Sequence, residues 1–143
     1  MSAQTALVQQ TLILEYAKRL RLPTFGGQVV RLAEEAVKQG QSHLDYLEAL
    51  LEAEIEERDR NAIARRIVEA HFPKVKTLED FEFEKAPQVP AALIRNLAEG
   101  GYLDHSEPVI FLGEAGTGKT HLATGLAVAA CRQRKRVRFV TAA

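Results

Sequence analysis

The spacing of apolar residues predicts helices in the first part of the chain. Between Thr5 and Leu22 the apolar positions are 7, 8, 12, 13, 16, 17 and 20, close to the 3.6-residue period of an amphipathic helix. We expect Pro23 to end this helix, because proline interrupts the backbone hydrogen bonds of a helix interior. The pair Gly26 and Gly27 predicts a turn, and a shorter helix is expected over residues 29–38.

A longer helix is predicted over about residues 43–71. Ser42 and Asp45 have the spacing of a capping box, with aspartate in place of the usual glutamate. The middle of this helix, residues 52–60, is almost entirely charged, and two opposite-charge pairs have the favourable i,i+4 spacing: Glu54–Arg58 and Glu56–Arg60. Such a helix either protrudes or packs against a partner, or it is a solvated member of a small bundle. Both interpretations remain open from the sequence.

The second half of the chain has a different spacing of apolar residues from the first. Residues 77–83 suggest a short extended link, in which Phe81 and Phe83 fit core or hinge packing better than contact with a nucleotide base. Residues 90–99 predict a helix. Apolar, β-branched runs at 108–112 and 137–141 predict strands on either side of a helix at 121–132. Strand, helix, strand makes a βαβ unit with a parallel sheet. The predicted organisation is an all-α N-terminal domain over residues 1–76, followed by the start of an α/β domain over residues 77–143.

Composition narrows the class of protein. The chain has 143 residues, of which 46% are apolar and 27% charged, as in ordinary globular domains. No apolar run is long enough to cross a membrane, and the N-terminus lacks the basic and apolar regions of a secretory signal. The single cysteine, Cys131, excludes an internal disulfide, and together these features predict a cytoplasmic protein. The histidines lack metal-ligand spacing: His43, His71, His105 and His121.

The net charge is zero, but the charges are unevenly distributed. From Ala115 onward the sequence contains basic residues and no acidic ones: Lys119, Arg132, Arg134, Lys135, Arg136 and Arg138. This asymmetry is typical of a part of the chain that faces phosphates or nucleic acid. The alternative is a solvated helix end, since cations also suit a helix C-terminus.

The strongest chemical signal is the stretch from Gly113 to Thr120, which reads Gly, four spacers, Gly, Lys, Thr. This is the P-loop pattern, in which glycines let successive backbone N–H groups point at phosphates. The alternative is a glycine-rich turn in an unrelated βα unit. The residues predicted to bind ATP or ADP are Gly113, Glu114, Ala115, Gly116, Thr117, Gly118, Lys119, Thr120 and His121. Lys119 is expected to reach the β- and γ-phosphates, and the Thr120 hydroxyl to coordinate Mg²⁺.

Three segments together resemble the IstB family: Phe72–Pro73 with Thr77–Phe83, Val109–Gly113 with Gly116–Ala123, and Val137–Ala143. The helices around Tyr46–Glu54 are also similar to the amino-terminal domain of that family. Members are AAA+ ATPases of insertion sequences that assist a transposase, and they are related to DnaC-type loaders of replicative helicases. The resemblance implies an AAA+ type α/β P-loop NTPase fold that binds ATP with Mg²⁺, binds duplex DNA, self-associates and engages a transposase.

Two departures from the family qualify this expectation. The family often has Pro-Pro where this chain has Glu114 and Ala115. The 23 residues after Thr120 also lack the Walker B acids, sensor residue, arginine finger and lid that the family uses later in its sequence. We therefore assign no catalytic residue and expect these 143 residues to bind ATP without efficient hydrolysis. The alternatives are a DnaC-type helicase loader acting in DNA replication, or a catalytically inactive fragment that acts as an interaction module.

Overall fold

The computed structural model describes residues 2–142. Met1 and Ala143 lie outside the described residues. They are the first residue of the predicted N-terminal domain and the last residue of the predicted α/β domain, and Ala143 also ends the segment 137–143 that resembles the IstB family. Within this range the helices are α1 (Ala3–Arg19), α2 (Pro23–Gln39), α3 (His43–Glu69), α4 (Ala91–Ala98), α5 (Gly101–Asp104) and α6 (Lys119–Arg132), with a 3₁₀ turn at Phe83–Lys85. None of these helices is long and apolar enough to cross a membrane.

By packing, the chain divides into two compact units, Met1–Asn61 and Ala62–Ala143. The division falls within α3, whereas the predicted domain boundary lies between residues 76 and 77. The domain boundary between residues 76 and 77 stays a prediction.

In the first unit, α2 begins earlier than predicted. Pro23 does not end α1, which already ends at Arg19, but is the first residue of α2, because the first helical position needs no backbone N–H donor and suits the fixed φ of proline. The predicted turn at Gly26 and Gly27 is wrong, since both residues lie inside α2. A Cβ on Gly26 would come within 3.3 Å of the Ala17 Cβ, so the missing side chain allows α1 and α2 to pack closely.

The N-terminus of α2 is capped by a residue from another helix. Leu22 precedes α2 and offers no side-chain cap. Instead the Phe25 N–H donates to Glu54 Oε2 of α3 at 2.7 Å, and Glu54 is only 4% exposed. Arg58 donates to the same carboxylate at 3.2 Å and to the Arg21 carbonyl at 2.6 Å. The charged middle of α3 therefore holds the turn between α1 and α2 in place.

The start of α3 agrees with the capping-box prediction. The Ser42 N–H donates to Asp45 Oδ2 at 2.8 Å, and the Asp45 N–H donates to Ser42 Oγ at 3.1 Å. These hydrogen bonds lower the pKa of the Asp45 carboxyl, the Ser42 hydroxyl contributing most. The two predicted ion pairs along α3 are also present, Arg58–Glu54 at 3.2 Å and Arg60–Glu56 at 3.9 Å.

The second unit is organised around α4 and α6, which pack against each other. Ile94 of α4 forms a buried cluster with Leu122 and Leu126 of α6. Phe81 and Phe83 pack against this cluster, as do Val109 and Phe111 from the segment before the loop. The prediction that the two phenylalanines before α4 serve core packing is therefore confirmed.

The predicted βαβ unit and its parallel sheet are wrong. Residues 2–142 contain no strand, and both 108–112 and 137–141 lack regular secondary structure. Strands need a neighbouring strand for their hydrogen-bond ladder, and two strands alone rarely form a stable sheet. Here the Phe139 N–H donates to the carbonyl of Ala70, just past the end of α3, at 2.8 Å. The described chain is therefore all-helical, although its apolar runs have strand-like alternation.

Candidate functional site

The P-loop pattern lies immediately before α6. Residues 113–118 form a loop and turn, and α6 begins at Lys119. Gly116 and Gly118 have φ values of 79° and 89°, a left-handed conformation that glycine adopts without the steric cost of a Cβ. The first hydrogen bond into α6 runs from the Leu122 N–H to the Gly118 carbonyl at 3.0 Å. The N–H groups of the first turn therefore have no partner within the helix, as at any helix N-terminus.

Lys119 folds back over this loop. Its Nζ donates to the carbonyl of Gly113 and, at 3.1 Å, to the carbonyl of Glu114. The Thr117 hydroxyl donates to the same Glu114 carbonyl at 2.7 Å. The ammonium group is thus held over the loop by neutral carbonyl oxygens, and it can exchange them for anionic ones without a change in the helix that carries it.

A second segment supports the loop from the side. The Phe81 ring lies so close to Gly118 that a Cβ there would come within 2.7 Å of Phe81 Cε2. Phe81 meets the His121 imidazole edge-to-face at 5.2 Å, and His121 Nε2 donates to the Thr77 carbonyl at 2.8 Å. The His121 side chain is therefore occupied by the supporting segment, and only its backbone N–H belongs to the first turn that faces the loop.

The supporting segment is shaped by its own hydrogen bonds. The Asp80 N–H donates to Thr77 Oγ1 at 3.3 Å, and the Thr77 hydroxyl donates to the Asp80 carboxylate at 2.8 Å. Arg132, at the far end of α6, pairs with Glu79 at 2.7 Å. A backbone hydrogen bond and the one from Arg132 keep the pKa of the Glu79 carboxyl below its usual value. The expected extended link is therefore a turn that is fastened to both ends of α6.

Sequence reasoning missed the contribution of Thr77 and Phe81 to this site. The only available signal was the Thr-x-x-Asp spacing of Thr77 and Asp80, which is typical of a local side-chain turn. Nothing in the spacing indicated that Phe81 would contact Gly118, because that contact joins positions 37 residues apart.

An apolar cavity of about 350 Å³ adjoins the loop. Gly113, Thr117 and Lys119 form its polar end. Side chains of α4, of the residues just before α4 and of the segment before the loop form most of the rest, among them Val89, Pro90, Leu93, Ile94, Val109 and Phe111. The candidate site therefore combines a cationic rim with an apolar wall.

The chemistry of the site follows from its donors. Backbone N–H groups at a helix N-terminus and one ammonium group favour an anion such as a phosphate. Thr120 lies on the first turn of α6 and is exposed, so its hydroxyl is accessible. Within residues 2–142 there is no group of three His, Cys, Asp or Glu side chains that could hold a metal ion by itself.

The sequence matches a protein family and several proteins encoded by insertion sequences. Residues 15–143 match the family described as IstB-like ATP binding protein. A Mycobacterium tuberculosis protein, named as a presumed ATP-binding protein in an insertion sequence, is 44% identical over 97 residues, 68% of this chain and 39% of its own length.

Two further relatives cover more of the chain. The presumed ATP-binding protein of insertion sequence IS5376 from Geobacillus stearothermophilus is 36% identical over 91% of this chain and 52% of its own length. The corresponding IS21 protein of Pseudomonas aeruginosa is 36% identical over 85% of this chain and 46% of its own length. The chain thus spans about half the length of the curated relatives that it matches.

Proposed function

The chain belongs to the family of IstB-like ATP-binding proteins, and we propose from this premise that residues 113–121 bind ATP or ADP together with Mg²⁺. The observation that carries the proposal is the position of Lys119. Its ammonium group lies over a glycine loop that leads into a helix N-terminus. The family membership and the local geometry both support this ligand.

The residues present fit a nucleotide phosphate chain. Gly116 and Gly118 have left-handed φ values, the conformation in which successive backbone N–H groups can turn toward an anion. The N–H groups of Lys119, Thr120 and His121 would donate to phosphate oxygens, and the Lys119 ammonium would replace its carbonyl partners with the terminal phosphates. The Thr120 hydroxyl would provide the protein ligand to Mg²⁺. Bound ATP would supply a γ-phosphoryl group that distinguishes the ATP complex from the ADP complex.

The wider role follows the relatives. They are named as ATP-binding proteins of insertion sequences, and we extend this to a helper role in DNA transposition. Binding of duplex DNA, contact with a transposase, self-association and a cytoplasmic location are parts of this proposal. The amino-terminal residues 1–76 would form the partner or assembly domain, and residues 77–143 the start of the ATPase domain. The helicase-loader alternative is less favoured, because the relatives named above come from insertion sequences.

The test of nucleotide binding is a titration of the full chain with ATP in Mg²⁺, by calorimetry. Lys119→Ala removes charge-assisted hydrogen bonds worth about 1.5–3 kcal/mol, so we expect Kd to rise about 10- to 100-fold. Lys135→Ala is the matched control. It removes the same charge just beyond the other end of α6, where Lys135 forms an exposed ion pair with Asp104 at 3.4 Å.

The magnesium assignment has its own measurement. Thr120→Val should weaken ATP binding in Mg²⁺ and have little effect in EDTA, because only the metal-bound complex uses the hydroxyl. Equal affinities for the wild type and Lys119→Ala would contradict the nucleotide site. If Thr120→Val lowers ATP affinity by the same factor with and without Mg²⁺, Thr120 is not a magnesium ligand.

A further inference from the structure

The segment after α6 is fixed against the end of α3. The Phe139 N–H donates to the Ala70 carbonyl at 2.8 Å, and the Phe72 and Phe139 rings meet edge-to-face at 6.2 Å. Phe139 is half-buried, whereas Arg136 and Arg138 are exposed. From Arg136 to Phe139 the two apolar side chains are therefore half-buried and the two arginines are exposed.

This arrangement brings arginines from two elements to one concavity. The concavity has a volume of about 450 Å³ and is lined by Ala62, Arg65, Arg66, Glu69 and Arg136. We call it the arginine cleft. Its only acidic residue, Glu69, pairs with Arg66 at 3.4 Å. Among the described residues, no carboxylate lies within ion-pair distance of Arg65 or Arg136. The cleft thus has a net positive charge.

Two other cations near the end of α6 are placed differently. Arg132 pairs with Glu79 and Lys135 with Asp104, so their charges are compensated within the second unit. Arg138, two residues further along the chain, is also exposed and continues the row from Arg136. The excess positive charge therefore forms a row that begins in the cleft.

We propose that the arginine cleft binds the phosphate backbone of duplex DNA, an inference that rests on the DNA-binding part of the proposed function. Like charges around one concavity repel each other, and an anion relieves that repulsion. Guanidinium groups match the oxygens of a phosphate in a bidentate way. A row of cations complements a polyanion better than it complements one small anion, and nucleotide phosphates already have a separate site at the P-loop. Backbone contacts of this kind carry no base specificity.

The experiment measures the affinity of the full chain for two duplexes of unrelated sequence, between about 50 and 200 mM salt. The variants are Arg65→Gln, Arg136→Gln and their combination. The control is Arg31→Gln, an exposed helical arginine that pairs with Glu35 at 3.0 Å. We expect each cleft variant to weaken binding equally for both sequences and to reduce the slope of log K against log salt by about 1. The control should leave the slope unchanged.

Further arms separate the possible failures. Arg136→Lys keeps the charge and should keep the slope, while circular dichroism checks that every variant is folded. A wild type that binds ATP but no duplex at low salt would overturn both the cleft and the DNA role. A wild type that binds DNA with cleft variants equal to Arg31→Gln would overturn the cleft alone. Polyglutamate that binds as tightly as DNA, with the same loss in the cleft variants, would overturn the nucleic-acid assignment in favour of an acidic protein partner.

Discussion

Replacing Gly118 by alanine tests whether the support from Phe81 holds the loop. The backbone at Gly118 has a φ of 89°, and a left-handed conformation costs an L-residue roughly 1–2 kcal/mol. The new Cβ would also lie 2.7 Å from Phe81 Cε2. Phe81 cannot move aside freely, because it contacts Phe83 at 4.8 Å and His121 at 5.2 Å.

Overpacking of this kind typically costs about 1–3 kcal/mol. The expected loss of unfolding free energy for Gly118→Ala is therefore about 2–5 kcal/mol. In a Phe81→Leu background the clash should largely disappear and the backbone strain remain, so the same substitution should cost only about 1–2 kcal/mol. ATP affinity should fall in both backgrounds, because the strain lies in the loop itself.

The assay is urea unfolding followed by circular dichroism, with amide hydrogen exchange in α6 to assign the change to the second unit. Gly101→Ala is the control, since a Cβ there has no neighbour within 4 Å and Gly101 lacks a left-handed φ. A cost for Gly118→Ala that is the same with Phe81 and with Leu at position 81 would refute the contact. A cost no larger than that of Gly101→Ala would refute the strain as well.

Two further predictions concern buried groups outside the loop. Glu54→Ala should lower the unfolding free energy by about 2–3 kcal/mol, because it removes the cap of α2 and leaves the Phe25 N–H unsatisfied. Glu52→Ala, at an exposed position, should cost much less in the same urea titration. Equal losses of unfolding free energy for the two variants would contradict the cap. Cys131 is fully buried, so a thiol reagent should modify it roughly 100-fold more slowly in buffer than in urea. Burial raises the pKa of the Cys131 thiol, and the positive charge of Arg66 partly offsets that rise. The protonated thiol therefore contributes fully to stability below about pH 8.5, and this contribution is lost as the pH rises through the pKa of the folded state. Cys131→Ala should lack that alkaline loss, and an identical pH profile for both proteins would contradict it.

Local signals were sufficient where a helix depends on its own residues. The Ser42 and Asp45 box, the i,i+4 pairs of α3 and the helix before Gly100 were all predictable, because each involves neighbours within one or two turns. Gly26 shows the limit of this reasoning. Its sequence signal indicates a turn, but contact with Ala17 and the cap from Glu54 on Phe25 keep the helix intact.

The candidate loop was predictable in place but not in its surroundings. The spacing of Gly113, Gly118 and Lys119 located it at the start of a helix, which is what the structure shows. The support from Phe81 depends on its contact with Gly118, which is distant in sequence. No spacing of residues in the sequence indicates that contact. The strand prediction failed for the same kind of reason, because alternation at residues 108–112 records which side chains face inward and not whether a neighbouring strand exists.

The alternating segment before the loop has a consequence for handling the protein in concentrated solution. Ile110 and Leu112 are 75% and 89% exposed, and they lie in a stretch that lacks regular secondary structure and has no neighbouring strand among residues 2–142. Exposed apolar backbone of this kind is a template on which further molecules can add as strands. Turbidity should therefore increase with protein concentration and with sulfate, which strengthens apolar association. Leu112→Lys would place a charge in this stretch and should raise the protein concentration at which turbidity begins.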